Sequence, residues 1–274
     1  MIEVKDLRKS FDGVEVLKGI TTTFETGKVN LVIGQSGSGK TVFLKSLLNV
    51  YEPTSGHILF DGRDIVGMSR QEKEAVRAEI GTVFQGSALF DSMTVQDNIM
   101  FPLDMFTNLT FTEKKKRVKE VIGRVHLENA EKKFPSEISG GMQKRVAIAR
   151  AIVNNPRYLF CDEPNSGLDP FTANIIDDLI AEITEEYNTT TIINSHDMNS
   201  VMTIGEKIVY LRKGIKEWEG TKDILITSDN KYLIDFVYSS ELFKELREYL
   251  IKINKTSIDN IITTIENETD QENI

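Results

Sequence analysis

The eight residues Gly34-Gln35-Ser36-Gly37-Ser38-Gly39-Lys40-Thr41 constrain this chain more than any others. They follow the apolar run Val29-Asn30-Leu31-Val32-Ile33, which reads as a buried strand. They precede a stretch in which Val42, Phe43, Leu44, Leu47 and Leu48 mark a helix. Strand, glycine-rich loop and helix in that order match G-x-x-x-x-G-K-S/T, a loop that cradles phosphates. Glycines let backbone N–H groups approach an anion with no Cβ in the way. The helix that starts near Lys40 turns its positive end toward that anion. Lys40 is placed to reach the β- and γ-phosphates, and the Thr41 hydroxyl to ligate Mg²⁺. A plain Gly/Ser linker would not be flanked by apolar elements on both sides.

Strand-like and helix-like segments alternate through the rest of the chain, which predicts an α/β fold with a mostly parallel sheet. Residues 1–30 read as short strands with turns at Asp12-Gly13 and Thr26-Gly27, residues 56–66 as a strand and turn, and Ile80–Phe84 as a short strand. Residues 110–128 form a helix, with Val118, Val121, Ile122 and Val125 on its apolar side and the basic run Lys114-Lys115-Lys116-Arg117 near its start. That run is read as a solvated face, the other reading being contact with lipid headgroups or a partner. Further helices are expected at 139–153 and 174–187, strands at 157–161 and 190–194, and a hairpin at 208–219. The mostly helical segment from about 87 to 155 reads as a subdomain. Leu242, Phe243, Leu246 and Leu250 suggest a last amphipathic helix, followed by an acidic tail expected to be disordered.

Composition narrows the setting. The chain of 274 residues is 40% hydrophobic with a formal net charge of -9, a poor match to a nucleic-acid backbone. Cys161 is the sole cysteine, so no intramolecular disulfide forms, and its place in Tyr158-Leu159-Phe160-Cys161 suggests a buried core residue rather than a reactive thiol. No signal-peptide-like segment begins the sequence, and no run of about 18 apolar residues would span a membrane. The expectation is a cytoplasmic protein that needs another component to anchor it at a membrane.

Three more features carry chemistry. Tyr158-Leu159-Phe160-Cys161-Asp162-Glu163 is an apolar strand ending in two carboxylates. Adjacent strand residues face opposite ways, so Asp162 fits a Mg²⁺ contact and Glu163 the base that activates water. Ser139-Gly140-Gly141-Met142-Gln143 opens a helix. Ser139 suits an N-cap and the glycines leave the helix end bare, so this is either a second anion-binding end or an ordinary cap. His196 and Gln85 each follow a strand, on the side of a parallel sheet where ligands bind.

Taken together these residues resemble the nucleotide-binding domain of ABC transporters, over about residues 1 to 225. Gln85 is similar to the Q-loop glutamine, a further Mg²⁺ contact. Ser139 to Gln143 resembles the signature motif, although Ile138 stands where Leu is usual and Met142 where Gln is usual. Asp162 and Glu163 resemble the Walker B pair, Ser166-Gly167-Leu168-Asp169 the D-loop, and His196 the switch histidine. Phe11 stands where the family places an aromatic that stacks on adenine. The resemblance implies a P-loop NTPase fold: a mostly parallel sheet core, an N-terminal antiparallel β-subdomain and a helical subdomain, together spanning residues 1–240. It also implies ATP and Mg²⁺ as ligands. Catalysis would rest on Glu163, His196, Gln85 and Lys40. A head-to-tail homodimer would sandwich ATP between the phosphate loop of one subunit and Ser139, Gly140, Gly141 and Asp169 of the other.

Lys40 and Ser139 lie 99 residues apart (139 − 40), leaving no room for the long coiled coil of chromosome-organising relatives, and there is one cassette rather than the two of translation-associated ones. A transporter subunit is therefore expected, on the inner face of the bacterial cytoplasmic membrane through an integral permease. The stretch Phe84 to Ile99 with Phe101-Pro102-Leu103 resembles the ATPases of Mla/Mce lipid transporters, as do Met142 and Leu233-Ile234-Asp235-Phe236-Val237. That likeness implies an Mce-domain partner. Methionine-type importers and lipoprotein-release systems share parts of it. Leu89, Phe90, Met93, Phe101 and Leu103 would suit either a groove for a permease helix or the core of the helical lobe.

Overall fold

The computed structural model describes residues 1–239 together with Lys244, Glu245, Arg247, Glu248, Tyr249 and Lys252. The apolar stripe Leu242, Phe243, Leu246 and Leu250 and the acidic tail lie outside the described residues.

β1 (Ile2–Phe11) and β2 (Val14–Phe24) pair antiparallel. Their hairpin turn is Asp12-Gly13, with φ of 48° and 82°, the paired positive values that a two-residue turn requires. Both strands run longer than the short strands expected. Asp6 takes a left-handed φ of 45° and the register shifts between Val4 and Leu7, which breaks the alternation from which strand length is read. β3 (Lys28–Ile33) follows, then α1 (Lys40–Leu47), β4 (Ser55–Phe60) and β5 (Arg63–Asp64). The first sheet has the order β2-β1-β4-β5.

α2 (Arg70–Ala78) was not anticipated, although its capping box, Ser69 with Glu72, stands in the sequence. β6 (Ile80–Val83) leads into three helices, α3 (Val95–Phe106), α4 (Phe111–Arg124) and α5 (Gly140–Ile152). The basic run on α4 is partly engaged: Lys114 pairs with Asp104 at 2.7 Å, Lys115 covers the Phe111 ring, and Arg117 Nε donates to Val153 O at 2.9 Å. β7 (Tyr158–Asp162), α6 (Pro170–Tyr187), β8 (Thr190–Ser195), α7 (Met198–Thr203), β9 (Lys207–Arg212) and β10 (Ile215–Gly220) complete the first unit. α6 starts four residues before the expected 174, at Pro170, with the Asp169 side chain as its N-cap.

The second sheet has the order β10-β9-β3-β8-β7-β6, and the pairs β9/β3, β3/β8, β8/β7 and β7/β6 are parallel. Ile33 pairs with Ser195, Asp162 with Asn194, and Val83 with Cys161, so the carboxyl ends of β3, β8, β7 and β6 share one edge. α1 is the filling between the two sheets. Its Phe43 and Leu47 are fully buried against Phe24 of the first sheet and Val32, Phe160 and Ile192 of the second. The intervening residues Leu31, Leu159 and Ile193 face the other way, the side covered by α5 and α6 through Ile148, Ile152, Ile176 and Ile180. Cys161 is fully buried as expected, and burial pushes its thiol pKa up.

Residues 1–219 form one compact unit, and the described residues from 220 onward belong to a second. In the second, α8 (Lys222–Thr227) and α9 (Lys231–Val237) bury Leu225, Leu233 and Val237. The Arg247 guanidinium donates to Ser228 O at 3.0 Å and lies 5.4 Å from the Tyr238 ring centroid. Among the described residues no helix is long and apolar enough to cross a membrane.

The α1 filling carries the contact between the sheets. Phe43→Ala should lower the unfolding free energy by about 3–5 kcal/mol, read from the urea midpoint, because the cavity opens between two sheets that cannot close on it.

Candidate functional site

Four loops leave the shared carboxyl edge; Gln85, Glu163 and His196 each sit on one of them, and Lys40 opens the helix that follows the first. Gly34 ends β3 with φ 153°, and a Cβ there would run into the Leu211 carbonyl and Ser38 Oγ, so only glycine fits. Gly37 and Gly39 also take positive φ. Gly39 is the N-cap of α1 and offers no side-chain hydrogen bond, so the first N–H groups of the helix stay open to an anion. Gln35, Ser36 and Gly37 are exposed, whereas Ser38 Oγ is buried without a partner. Lys40 Nζ donates to Gly34 O at 2.6 Å and to Gln35 O at 3.3 Å. Burial lowers its pKa, partly offset by the charges of Glu163 and Asp162. Those charges act on Lys40 because β7 ends beside the loop. Thr41 is exposed at the start of α1.

Asp162 closes β7 and accepts from Asn194 Nδ2 at 3.1 Å. Glu163 departs from the expected strand alternation. Its φ is 48°, so the chain has left the strand and turned left-handed, and that turn rather than the pleat separates the two acids. The turn is held by Glu163 N donating to Asn194 O at 3.0 Å. The Glu163 carboxylate then faces both flanking loops: Gln85 Nε2 donates to Oε2 at 3.2 Å, and His196 Nδ1 lies 2.9 Å from Oε1. Gln85, Glu163 and His196, far apart in sequence, meet in one hydrogen-bonded group.

Ser139 caps α5, its Oγ accepting from Met142 N at 3.3 Å, and the hydroxyl proton remains free to donate. Gly140 and Gly141 lie against Leu168 and Thr172. A Cβ on Gly141 would come within 2.8 Å of Thr172 Cγ2, so this glycine is also required inside its own chain. Asp169 accepts from Thr172 N at 3.0 Å and Thr172 Oγ1 at 2.6 Å, which lowers its pKa. The predicted signature and D-loop residues therefore form a second exposed cluster. Phe11 ends β1 half-exposed, edge-on to Tyr51 at 5.2 Å.

The apolar stretch after Gln85 divides. Leu103 is buried in the helical lobe, whereas Phe90 and Phe101 pack as tilted rings with centroids 4.9 Å apart and line a cavity of about 270 Å³ with Phe84, Met105 and Phe106. Leu89 and Met93 are half-buried outside that lining. The sequence reading missed Asn98, whose buried amide accepts from Phe90 N at 2.8 Å and donates to the carbonyls of Phe90, Met93 and Thr94. An asparagine directly before the apolar run Ile99-Met100-Phe101 in the first turns of α3 was the available signal.

Another missed group joins the loops after β7 and β8. Asn165 Nδ2 donates to Asp177 Oδ2 at 3.2 Å and Ser200 Oγ at 2.8 Å, and Ser200 Oγ donates to Asp177 Oδ2 at 2.6 Å. Asp177 is 2% exposed. Burial, with the charge of nearby Asp197, raises its pKa to about 6 against the opposing hydrogen bonds.

Residues 17–166 match the family model described as ABC transporter, more than half of the chain. The sequence is 39% identical to a protein of Mycobacterium tuberculosis described as "Probable ribonucleotide transport ATP-binding protein mkl", over 86% of this chain and 66% of that protein. It is 38% identical to "Methionine import ATP-binding protein MetN 2" of Oceanobacillus iheyensis, over 80% of this chain and 65% of that one. Among solved structures, the dimeric ABC transporter cassette MJ0796 superposes with a TM-score of 0.74 at 32% identity, covering 81% of this chain and 98% of the cassette. The chain belongs to the ABC transporter family, as one of its ATP-binding cassettes. Such cassettes bind ATP with Mg²⁺ and hydrolyse it. The chain spans about two thirds of the length of the curated relatives it matches.

Asp177 makes stability depend on pH. Its folded pKa of about 6 lies above the ordinary 3.8, so its contribution is fully present below pH 3.8 and is lost as pH rises through 6. Asp177→Asn should flatten this: relative to the parent it should gain on the order of 2 kcal/mol between pH 4 and 7 in urea-midpoint measurements.

Proposed function

We propose that this chain binds ATP with Mg²⁺ and hydrolyses it as one subunit of a homodimer that drives an integral membrane permease. The convergence of Gln85 and His196 on Glu163, beside the Lys40 loop, carries the reading. The residues fit the ligand. The open N-terminus of α1, the glycines at positions 34, 37 and 39, and the unpartnered Ser38 hydroxyl all suit an anion with several oxygens. Thr41, Gln85 and Asp162 would hold Mg²⁺, which when bound offsets the charge on the phosphate oxygens. Lys40 exchanges the carbonyls of Gly34 and Gln35 for phosphate oxygens. Phe11 offers its exposed ring to adenine.

In this reading Glu163 takes a proton from water as the water oxygen bonds to the γ-phosphorus and the bond to the ADP oxygen breaks. His196 orients Glu163 and the transferred group. The second exposed cluster, Ser139 to Gly141 with Asp169, completes the site across the dimer. Its bare helix end and free hydroxyl proton suit the γ-phosphate held by the partner subunit's loop.

The cavity lined by Phe90 and Phe101 is the proposed seat of a short permease helix, and the proposed location is the inner face of the cytoplasmic membrane. The likeness of Phe84 to Leu103, Met142 and Leu233 to Val237 to Mla/Mce ATPases supports a phospholipid or other hydrophobic substrate and an Mce-domain partner. The MetN relatives support a second reading, an amino-acid importer.

Three measurements check this. Glu163→Gln should keep ATP binding and ATP-dependent dimerisation while kcat falls by about 10²–10⁴, and parental turnover would remove Glu163 from the role of base. Phe90→Ala should lose the permease on co-purification, and retention of an active complex would rule out this seat. Capture from detergent-solubilised membranes should bring down a permease with an Mce-domain protein; a permease with a periplasmic amino-acid-binding protein would favour the importer.

A further inference from the structure

Between β6 and α3 the chain passes through two consecutive non-glycine residues in the left-handed region, Ser87 at φ 61° and Ala88 at φ 48°. Such a pair is unfavourable for residues bearing a Cβ and persists only where the surroundings impose it. Here Arg150 of α5 holds the pair, and Lys144 of the same helix holds the residue two positions before it. Arg150 Nη2 donates to Ser87 O and Nη1 to Ala88 O, each at 2.7 Å, and Lys144 Nζ donates to Gln85 O. Three carbonyls within four residues are thus held from one helix. Among the described residues neither cation forms an ion pair with a carboxylate, and Lys144 is 5% exposed. Burial lowers the pKa of both, a cost that the carbonyl contacts offset. Arg150 also lines the cavity that holds Phe90 and Phe101.

We propose that Lys144 and Arg150 are positioning residues that fasten the loop carrying Gln85 to the helix whose first turn is Gly140 and Gly141, so that the two move as one body. Gln85 reaches Glu163 at one end of this body, and Ser139 caps the other. A displacement at the cavity then passes through Ser87, Ala88 and Arg150 to both ends. Arg150 spans two carbonyls with two separate N–H arms of a rigid planar fork, and a single lysine ammonium lacks that fixed two-armed geometry. Lys144 needs only one donor, which an arginine can supply.

The inference rests on the ATPase reading only for its kinetic arm, and hydrogen exchange tests it without nucleotide. The Ser87 and Ala88 amides donate to Phe84 O and Gly86 O, so their protection reports the loop. Lys144→Met and Arg150→Lys should each speed exchange at these amides by about tenfold while Gly34 to Thr41 stays as in the parent. In turnover, kcat should fall by about tenfold with KM for MgATP within about twofold, because the phosphate loop is untouched. Lys144→Arg should restore both readouts. The double variant should lose no more than the larger single loss, since both residues act through one loop. Parental exchange at Ser87 and Ala88 in both single variants would overturn the proposal, as would parental kcat in both. A parent chain that hydrolyses no ATP would sink the ATPase reading instead, and exchange would still decide the clamp.

Discussion

The parallel register around β3 brings four loops, leaving the sheet near residues 34, 84, 163 and 196, to a single edge. In a parallel sheet every strand ends on the same side, and the connections return across the faces through helices. The order β3-β8-β7-β6 is not the order of the sequence, so residues 78 and 33 positions apart, Gln85 and Glu163 and then Glu163 and His196, become hydrogen-bond partners. The antiparallel sheet and α1 serve this arrangement by covering the face that the phosphate loop leaves behind. Gly34 and Gly214 allow backbone from β9, β10 and β2 to close around that loop.

The backbone around the candidate site departs from regular geometry at three non-glycine positions. Glu163, Ser87 and Ala88 hold left-handed φ without being glycine, and each is tied by a specific donor: the Glu163 amide to Asn194 O, and the Ser87 and Ala88 carbonyls to Arg150. Lys40, Lys144 and Asp177 are ionisable groups taken largely out of water, each with its pKa moved by burial against opposing contacts. Strain and desolvation of this kind accumulate at functional sites and are compensated by packing elsewhere, here the dense filling of α1 between two sheets.

In the proposed reading one chain offers both halves of a site but not one complete site. The phosphate loop, Glu163 and His196 gather at the carboxyl edge of the sheet, the proposed hydrolytic half. Ser139, Gly140 and Asp169 form an exposed second cluster, and Gly141 beside them packs against Thr172. Between them runs α5, with Ser139 at its start and Lys144 and Arg150 along it. Arg150 also lines the cavity at Phe90 and Phe101, so in the proposed reading α5 links that cavity to both clusters.

The sequence determined the local pieces. Glycine spacing with Lys40 and Thr41 defined the phosphate loop, because strand, loop and helix there are consecutive. Apolar periodicity located β3, β7, β8, α4 and α5, because burial repeats along one element. What it misjudged was also local: the length of β1 and β2, hidden by the left-handed Asp6, and the start of α6, hidden by reading Asp169 only for a ligand when it is also a cap. The sequence could not show that Glu163 leaves the strand to face Gln85 and His196, that Asn98 pins the Phe90 loop, or that Lys144 and Arg150 reach across to carbonyls about sixty residues away. Backbone carbonyls carry no residue signature, and pairings between distant segments depend on strand order. Only the assembled sheet decides which loops share an edge.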